Sequence, residues 1–348
     1  MAHELDFSKG KAAIAYRGET PWHGRGQIIL PQDSIDDIRI KAGLDYDVVK
    51  TPVLFGYQEL QHASGFSQDA GSEEPAIIDR FGEFKQNQVL YRNDTHTPLS
   101  VVGEHYRVVQ PKEVVEFYRD LCADFGFEVE VVGALQGGRK VWALANTKNA
   151  FSLRGEDKVK GYLLLATSYD GTMATQARFT SVRVVCNNTL SLARMAKAQV
   201  SVPHNKTFDA DLVKRQLHVG PAWEAFNERA SKMSERVVSR DEVVQLFMQA
   251  YYGLATPDAV KEFHEVEGND AKVKKTMERL TYALFESPGA QLASARGTLW
   301  GALQAVTFDV DHNLPSRDAG SRLNKSWFGD GDGIKNRAFD FATELLEG

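Results

Sequence analysis

Phe127-Glu-Val-Glu-Val-Val-Gly-Ala-Leu-Gln-Gly-Gly-Arg-Lys-Val-Trp-Ala-Leu-Ala145 is the stretch whose reading decides the fold. Phe127, Val129 and Val131 alternate with Glu128 and Glu130, the period of a half-buried strand. Gly137-Gly138 turns the chain, and Val141 to Ala145 returns as the antiparallel partner. Further on, Gly161-Tyr-Leu-Leu-Leu-Ala166 is a continuous apolar run that reads as a buried strand, and Asp170-Gly171 turns it into a long strand from about Thr172 to Cys186. Before the decisive stretch, Val101 to Val109 is extended. Pro111 opens a helix where its missing N–H costs nothing. Val114, Phe117, Tyr118, Leu121 and Phe125 recur at helical spacing until Gly126 stops them. Asn187 or Asn188 is expected to cap a helix beginning near Leu190. The unit reads α-β-β-β-β-α about an antiparallel sheet.

Outward from this unit the pattern changes. The first hundred residues read as strands and loops, with short strands at Val48 to Tyr57 and Ile77 to Phe84 and an exposed polar loop from Gln61 to Pro75. After Pro203 the chain becomes helical. Ser239-x-x-Glu242 is a capping box, Thr256-Pro257 restarts a helix, and Val273, Met277, Leu280 and Leu284 mark another. Leu292 to Val306 and Ala338 to Leu346 complete a bundle. The expected fold class is α+β, with a central antiparallel sheet flanked by helices and a helical C-terminal region. The expected divisions are a β-rich region 1–100, a central domain 101–206 and a helical domain 207–348.

The chain has 348 residues, 43% of them hydrophobic, enough for a sizeable core. No run of about 18 apolar residues exists, which excludes a spanning helix. Met1 to Lys11 lacks the apolar stretch of a secretory signal. A cytoplasmic location is therefore expected. Cys122 and Cys186 cannot build a disulfide framework or a four-cysteine zinc site. No phosphate-binding glycine loop and no Gly-x-Ser-x-Gly elbow is present, and no cofactor is expected. The formal net charge is −6, but Arg139 to Lys206 holds eleven Lys and Arg against three Asp and Glu, a balance of +8 that leaves −14 on the rest. Such asymmetry suggests an anionic partner.

Within the basic window, Arg139, Lys140, Arg178, Arg183, Arg194 and Lys197 are the candidates for phosphate contact, with Tyr162 or Tyr169 stacking on bases. Single-stranded nucleic acid binding needs that mixture of cations and aromatic faces. Strand parity puts Arg178 and Arg183 on opposite faces, so one is free to meet a phosphate while the other pairs internally. Asp309-Val-Asp311-His312-Asn313 offers ligands at positions one, three and five of a calcium loop. Leu314 and Gly320 then stand where a glycine and a bidentate glutamate belong, so that reading fails. A looser divalent site of Asp309, Asp311 and His312 is the remaining metal candidate, against the bland reading of a solvated helix end. Asp330-Gly-Asp332-Gly333 reads as a turn. Cys186 reads as a buried small hydrophobe, and His23 as a structural histidine.

Several stretches resemble a phage- and plasmid-borne domain-of-unknown-function family, number 932. They are Ala15-Tyr-Arg-Gly-Glu-Thr-Pro-Trp-His-Gly24, Tyr106-Arg-Val-Val-Gln-Pro111, Leu135-Gln-Gly-Gly-Arg139 and Ser168-Tyr-Asp-Gly-Thr172. Val182-Arg-Val-Val-Cys-Asn-Asn-Thr-Leu190 and Trp300-Gly-Ala, with Asp311-His312 downstream, complete the set. The resemblance implies mobile-element cargo encoded near replication, recombination or anti-defence genes, and no reaction. The order of the central elements is also similar to single-strand annealing proteins of the Rad-fifty-two type, an analogy of fold alone. The leading expectation is a non-enzymatic, homo-oligomeric protein that binds single-stranded DNA and assists annealing, recombination or replication. The alternatives are an antagonist of host defence acting by binding a host protein, and a divalent-metal-dependent nuclease on Asp309, Asp311 and His312.

Overall fold

The computed structural model describes residues 10–18, 26–61, 76–192, 198–254, 263, 269–316 and 319–347. The fold class is α+β. Its centre is a sheet of eight strands: β1 (Ile14–Tyr16), β2 (Gln27–Ile28), β6 (Glu128–Leu135), β7 (Lys140–Leu153), β8 (Asp157–Ser168), β9 (Thr175–Arg183), β10 (Asn188–Ser191) and β11 (Gln199–Val202). The strands run in the order β10-β9-β8-β7-β6-β1-β2, and β11 shares an edge of β9 with β10. All pairs are antiparallel except β1 with β2, which makes the sheet mixed. A second, antiparallel sheet holds β3 (Val48–Gln61), β4 (Ala76–Arg92) and β5 (Pro98–Gly103).

The described helices are α1 (Ile35–Lys41), α2 (Pro111–Glu116), α3 (Arg119–Phe125), α4 (Ala210–Gln216), α5 (Val219–Glu235), α6 (Arg240–Tyr252), α7 (Asn269–Glu286), α8 (Leu299–Phe308), α9 (Ala319–Phe328) and α10 (Asp330–Glu347). The capping box at Ser239 and Glu242 forms as its spacing predicts. Gly126 ends α3 in the left-handed conformation that favours glycine. The helix restart at Thr256-Pro257 lies outside the described residues.

Three local expectations change. Leu190 does not open a helix: Asn188–Ser191 is β10, hydrogen-bonded to β9, because Asn187 takes a left-handed φ of 54° and turns the chain into a hairpin. Helix α8 begins at Leu299, not Leu292, capped by Thr298. Asp330-Gly-Asp332-Gly333 is the first turn of α10, where carboxylates favour the helix dipole.

Both faces of the main sheet are covered. On one face Val141, Ala143, Leu163, Leu165 and Phe179 share a core with Tyr118, Phe226, Trp300 and Phe339. On the other, Trp142, Leu144, Tyr162 and Leu164 meet Leu323, Trp327 and Phe328 of α9. Two-sided burial is why Gly161 to Ala166 is apolar without alternation. Leu44, Val132 and Trp300, from the three sequence regions, belong to one continuous core.

Candidate functional site

Register places Lys140, Trp142, Tyr162, Leu164 and Arg178 on the sheet face beneath α9. Lys140 and Arg178 are each only 6% exposed. Lys140 Nζ donates to Asn324 Oδ1 at 2.8 Å, and Arg178 donates to Asp332 at 3.0 Å and to the Trp327 carbonyl. The Phe328 ring lies 6.0 Å from the Lys140 ammonium and 5.8 Å from the Arg178 guanidinium. The Tyr162 hydroxyl donates to Glu130 Oε2 at 2.8 Å, and burial pushes its pKa far above the ordinary tyrosine value.

Arg183 points to the opposite face, as strand parity requires. Its Nε bonds both oxygens of Asp157 at 2.8 and 3.0 Å, and Nη2 reaches the Gly289 carbonyl. Asp157 also accepts from Ser294 Oγ at 2.7 Å and Trp300 Nε1 at 3.0 Å, and is fully buried. Tyr169 is fully buried with its hydroxyl on the Val109 carbonyl. Arg139 is exposed beside the turn between β6 and β7, and Arg194 and Lys197 lie outside the described residues.

The expected groove is therefore corrected: among the described residues, Lys140, Arg178, Arg183, Tyr162 and Tyr169 do not share an open surface. At these five positions the sheet is buried on both sides. A cation entering it needs a carboxylate or carbonyl partner, and these have found theirs within the chain.

The metal candidates separate in the same way. Asp309 to Asn313 form a π-helical turn that continues α8. Asp309 is fully buried against Arg279 at 3.1 Å and accepts from the Tyr251 hydroxyl at 2.5 Å. Asp311 turns elsewhere. It accepts from Thr189 N at 2.6 Å, Thr189 Oγ1 at 3.0 Å, Lys335 Nζ at 2.8 Å and the Ser326 hydroxyl. With each carboxylate committed to a different cation, Asp309, Asp311 and His312 do not converge, and no group of three metal-binding side chains occurs among the described residues. The His312 ring lies 4.6 Å from that of Phe308 and bonds the Cys186 backbone, while its Nε2 is buried without a partner. Burial lowers its pKa, against the opposing pull of Asp311.

This junction joins two stretches far apart in sequence. Asn188 donates to the Gln304 carbonyl, Gln304 Oε1 and Thr307 Oγ1, so Cys186 to Thr189 is bonded to the end of α8 from Asn188, Thr189 and Cys186 alike. A cavity of about 240 Å³ opens beside it, lined by Asn187, Thr189, Asp311, His312, Arg322 and Trp327 among others. Its inner carboxylate and ammonium are already hydrogen-bonded to one another, which makes the junction a fastening between sheet edge and helices.

The open surface lies elsewhere. Strands β3 and β4 form a ribbon, and β5 flanks only its base, pairing with Asn87 to Tyr91. A register shift at Pro52/Val53 separates base from shaft. The shaft, Val53 to Gln61 against Ala76 to Phe84, projects on the order of 30 Å at strand rise. One of its faces carries Phe55, Tyr57 and Phe84, each about half exposed, and the Arg80–Glu59 ion pair at 2.9 Å. Phe55 lies over Gly82, where a Cβ would come within 2.5 Å of the ring. The other face carries Leu54 (62% exposed), Leu60 (60%), Ile77 (63%) and Phe81 (76%), with the carboxylates of Asp79 and Glu83 and no cation. Sequence reading took these two strands as short and gave them no role. The available signal was apolar residues at both parities, Val53-Leu-Phe55 and Ile77-Ile78, in a segment with no helix nearby to cover them.

The molecule is thus an α+β protein with a two-sided covered sheet, internally neutralised cations and a projecting apolar ribbon. It belongs to the family described as Domain of unknown function (DUF932), whose model matches residues 98–327. No curated protein and no solved structure matches the chain. The match spans the Asp157 network and all of the Asp311 network except Lys335; the ribbon precedes it. No helix among the described residues is long and apolar enough to cross a membrane.

Proposed function

We propose that this protein works by binding other protein chains, with the β3–β4 ribbon as its working surface. One observation carries the reading. Leu54, Phe55, Tyr57, Leu60, Ile77, Phe81 and Phe84 are between 46 and 76% exposed on a two-stranded shaft that no other element among the described residues covers. Exposed apolar surface on that scale, with open strand edges, is costly to leave in water and marks interaction surfaces. The shaft holds Glu59, Asp79, Arg80 and Glu83, an acidic balance that suits protein better than a phosphate backbone. The burial of Lys140, Arg178 and Arg183, three of the six candidate phosphate-binding cations, favours this reading over single-stranded DNA binding.

The test is site-directed photo-crosslinking in the producing cell. A photoreactive phenylalanine analogue at Phe81 is expected to give discrete protein adducts, and the same probe at exposed Lys232 is not. Absence of any adduct from Phe81, with the protein folded and the probe incorporated, overturns the reading.

A further inference from the structure

We infer that the acidic apolar face of the ribbon docks into the groove between α6 and α7 of a second copy of this chain. The inference rests on the ribbon being a protein-binding surface and names its partner.

The groove has the complementary chemistry. It is a cavity of about 680 Å³ with apolar walls that include Val238, Val244, Phe247, Met277, Leu284 and Phe285. That volume takes several large side chains. The charged residues lining it are Arg240 and Arg296, both exposed, and no carboxylate lines it. Phe285, which lines it, and Val237, next to Val238, extend the apolar surface, 54 and 78% exposed. The ribbon face offers the inverse: Leu54, Leu60, Ile77 and Phe81 to fill the cavity, and Asp79 and Glu83 for the arginines. Gln58 bonds Asp79 at 3.4 Å, and no cation of the shaft shares that face.

The two ribbon faces differ in a way that selects this one. The Phe55 face is partly closed by its own ring over Gly82 and by the Arg80–Glu59 pair. The Phe81 face keeps four aliphatic and aromatic side chains at least 60% exposed, so the groove of the same chain does not cover them. Ribbon and groove are different patches on one molecule. Two copies can therefore seat their ribbons in each other's grooves across a two-fold axis, or join head-to-tail into a ring or a filament.

Sedimentation velocity over a range of concentrations tests this. The wild type is expected to self-associate into a dimer or a larger assembly, and less so in high salt. A ribbon variant, Leu60→Ser with Phe81→Ser, and a groove variant, Arg240→Glu with Arg296→Glu, are each expected to be monomeric. Each keeps one intact half, so mixing them should restore a one-to-one heterodimer that grows no further. A monomeric wild type at all concentrations overturns the inference. So does a groove variant that still assembles, which would indicate ribbon pairing with ribbon. If Phe81 crosslinks to a different protein while the wild type stays monomeric, this inference falls and the protein-binding reading stands. If Phe81 forms no adduct at all, both fall.

Discussion

At the scale of single residues, the chain places charged and titratable groups inside and pairs most of them there. His312, whose buried Nε2 is unpartnered, is a group whose titration the fold shifts. Its neighbours are the Asp311 carboxylate, the Arg322 and Lys335 cations, the Cys186 backbone and the Phe308 ring. Burial dominates and lowers its pKa below the ordinary 6.5. Below about that pH the unfolded chain takes up a proton that the folded chain resists, so stability is full above it and declines as pH falls. Urea denaturation at pH 7.5 and 5.5 should show wild type losing stability on acidification and His312→Gln losing less. Equal losses would mean that the ring titrates normally in the fold.

At the scale of elements, the ribbon is joined to the rest through its base alone. Val48 to Pro52 pair with Gln88 to Arg92, and Val48, Leu90 and Leu99 enter the main core, whereas the shaft beyond Pro52 packs on nothing else among the described residues. Two-stranded ribbons are marginal by themselves, and this one has Phe55 over Gly82 as an internal clasp. Replacing residues 53–84 by a two-residue Asn-Gly turn should leave the melting temperature within about 2 °C, a change worth less than ~1 kcal/mol. Assembly should be lost. A large fall in melting temperature would show that the shaft supports the fold and is not dedicated to binding.

At the scale of the molecule, the Asp157 network fastens sheet to helices. Arg183 comes from β9, while Ser294 and Trp300 come from the segment closing α7 and opening α8. Gly301 fits beside them because any Cβ would fall 1.8 Å from the Ala295 carbonyl oxygen. Asp157→Ala leaves Arg183 buried without its carboxylate and should cost about 3–5 kcal/mol. Because the core is continuous, tryptophan fluorescence and far-ultraviolet circular dichroism should report one coincident transition in wild type and variant. Two separate transitions would mean that the helical region unfolds independently of the sheet.

Local rules read directly from the sequence determined the fold class and much of the element order. Alternation and turn residues gave β6, β7 and β8, the glycine stop gave the end of α3, and the Ser239–Glu242 spacing gave the cap of α6. Strand parity alone separated Arg178 from Arg183. Tertiary structure decided what those side chains face. A period of two says that two residues lie on opposite sides of a sheet, and not whether water or a helix waits there. Helix α9 covers one side, and Asp332 from the first turn of α10 meets Arg178; the core helices cover the other, and Asp157 meets Arg183. The same limit hid the ribbon, since apolar residues at both parities describe a strand buried on both faces as well as one that projects bare. Only the positions of elements distant in sequence distinguish the two, because burial is a property of what packs against a residue and not of the residue itself.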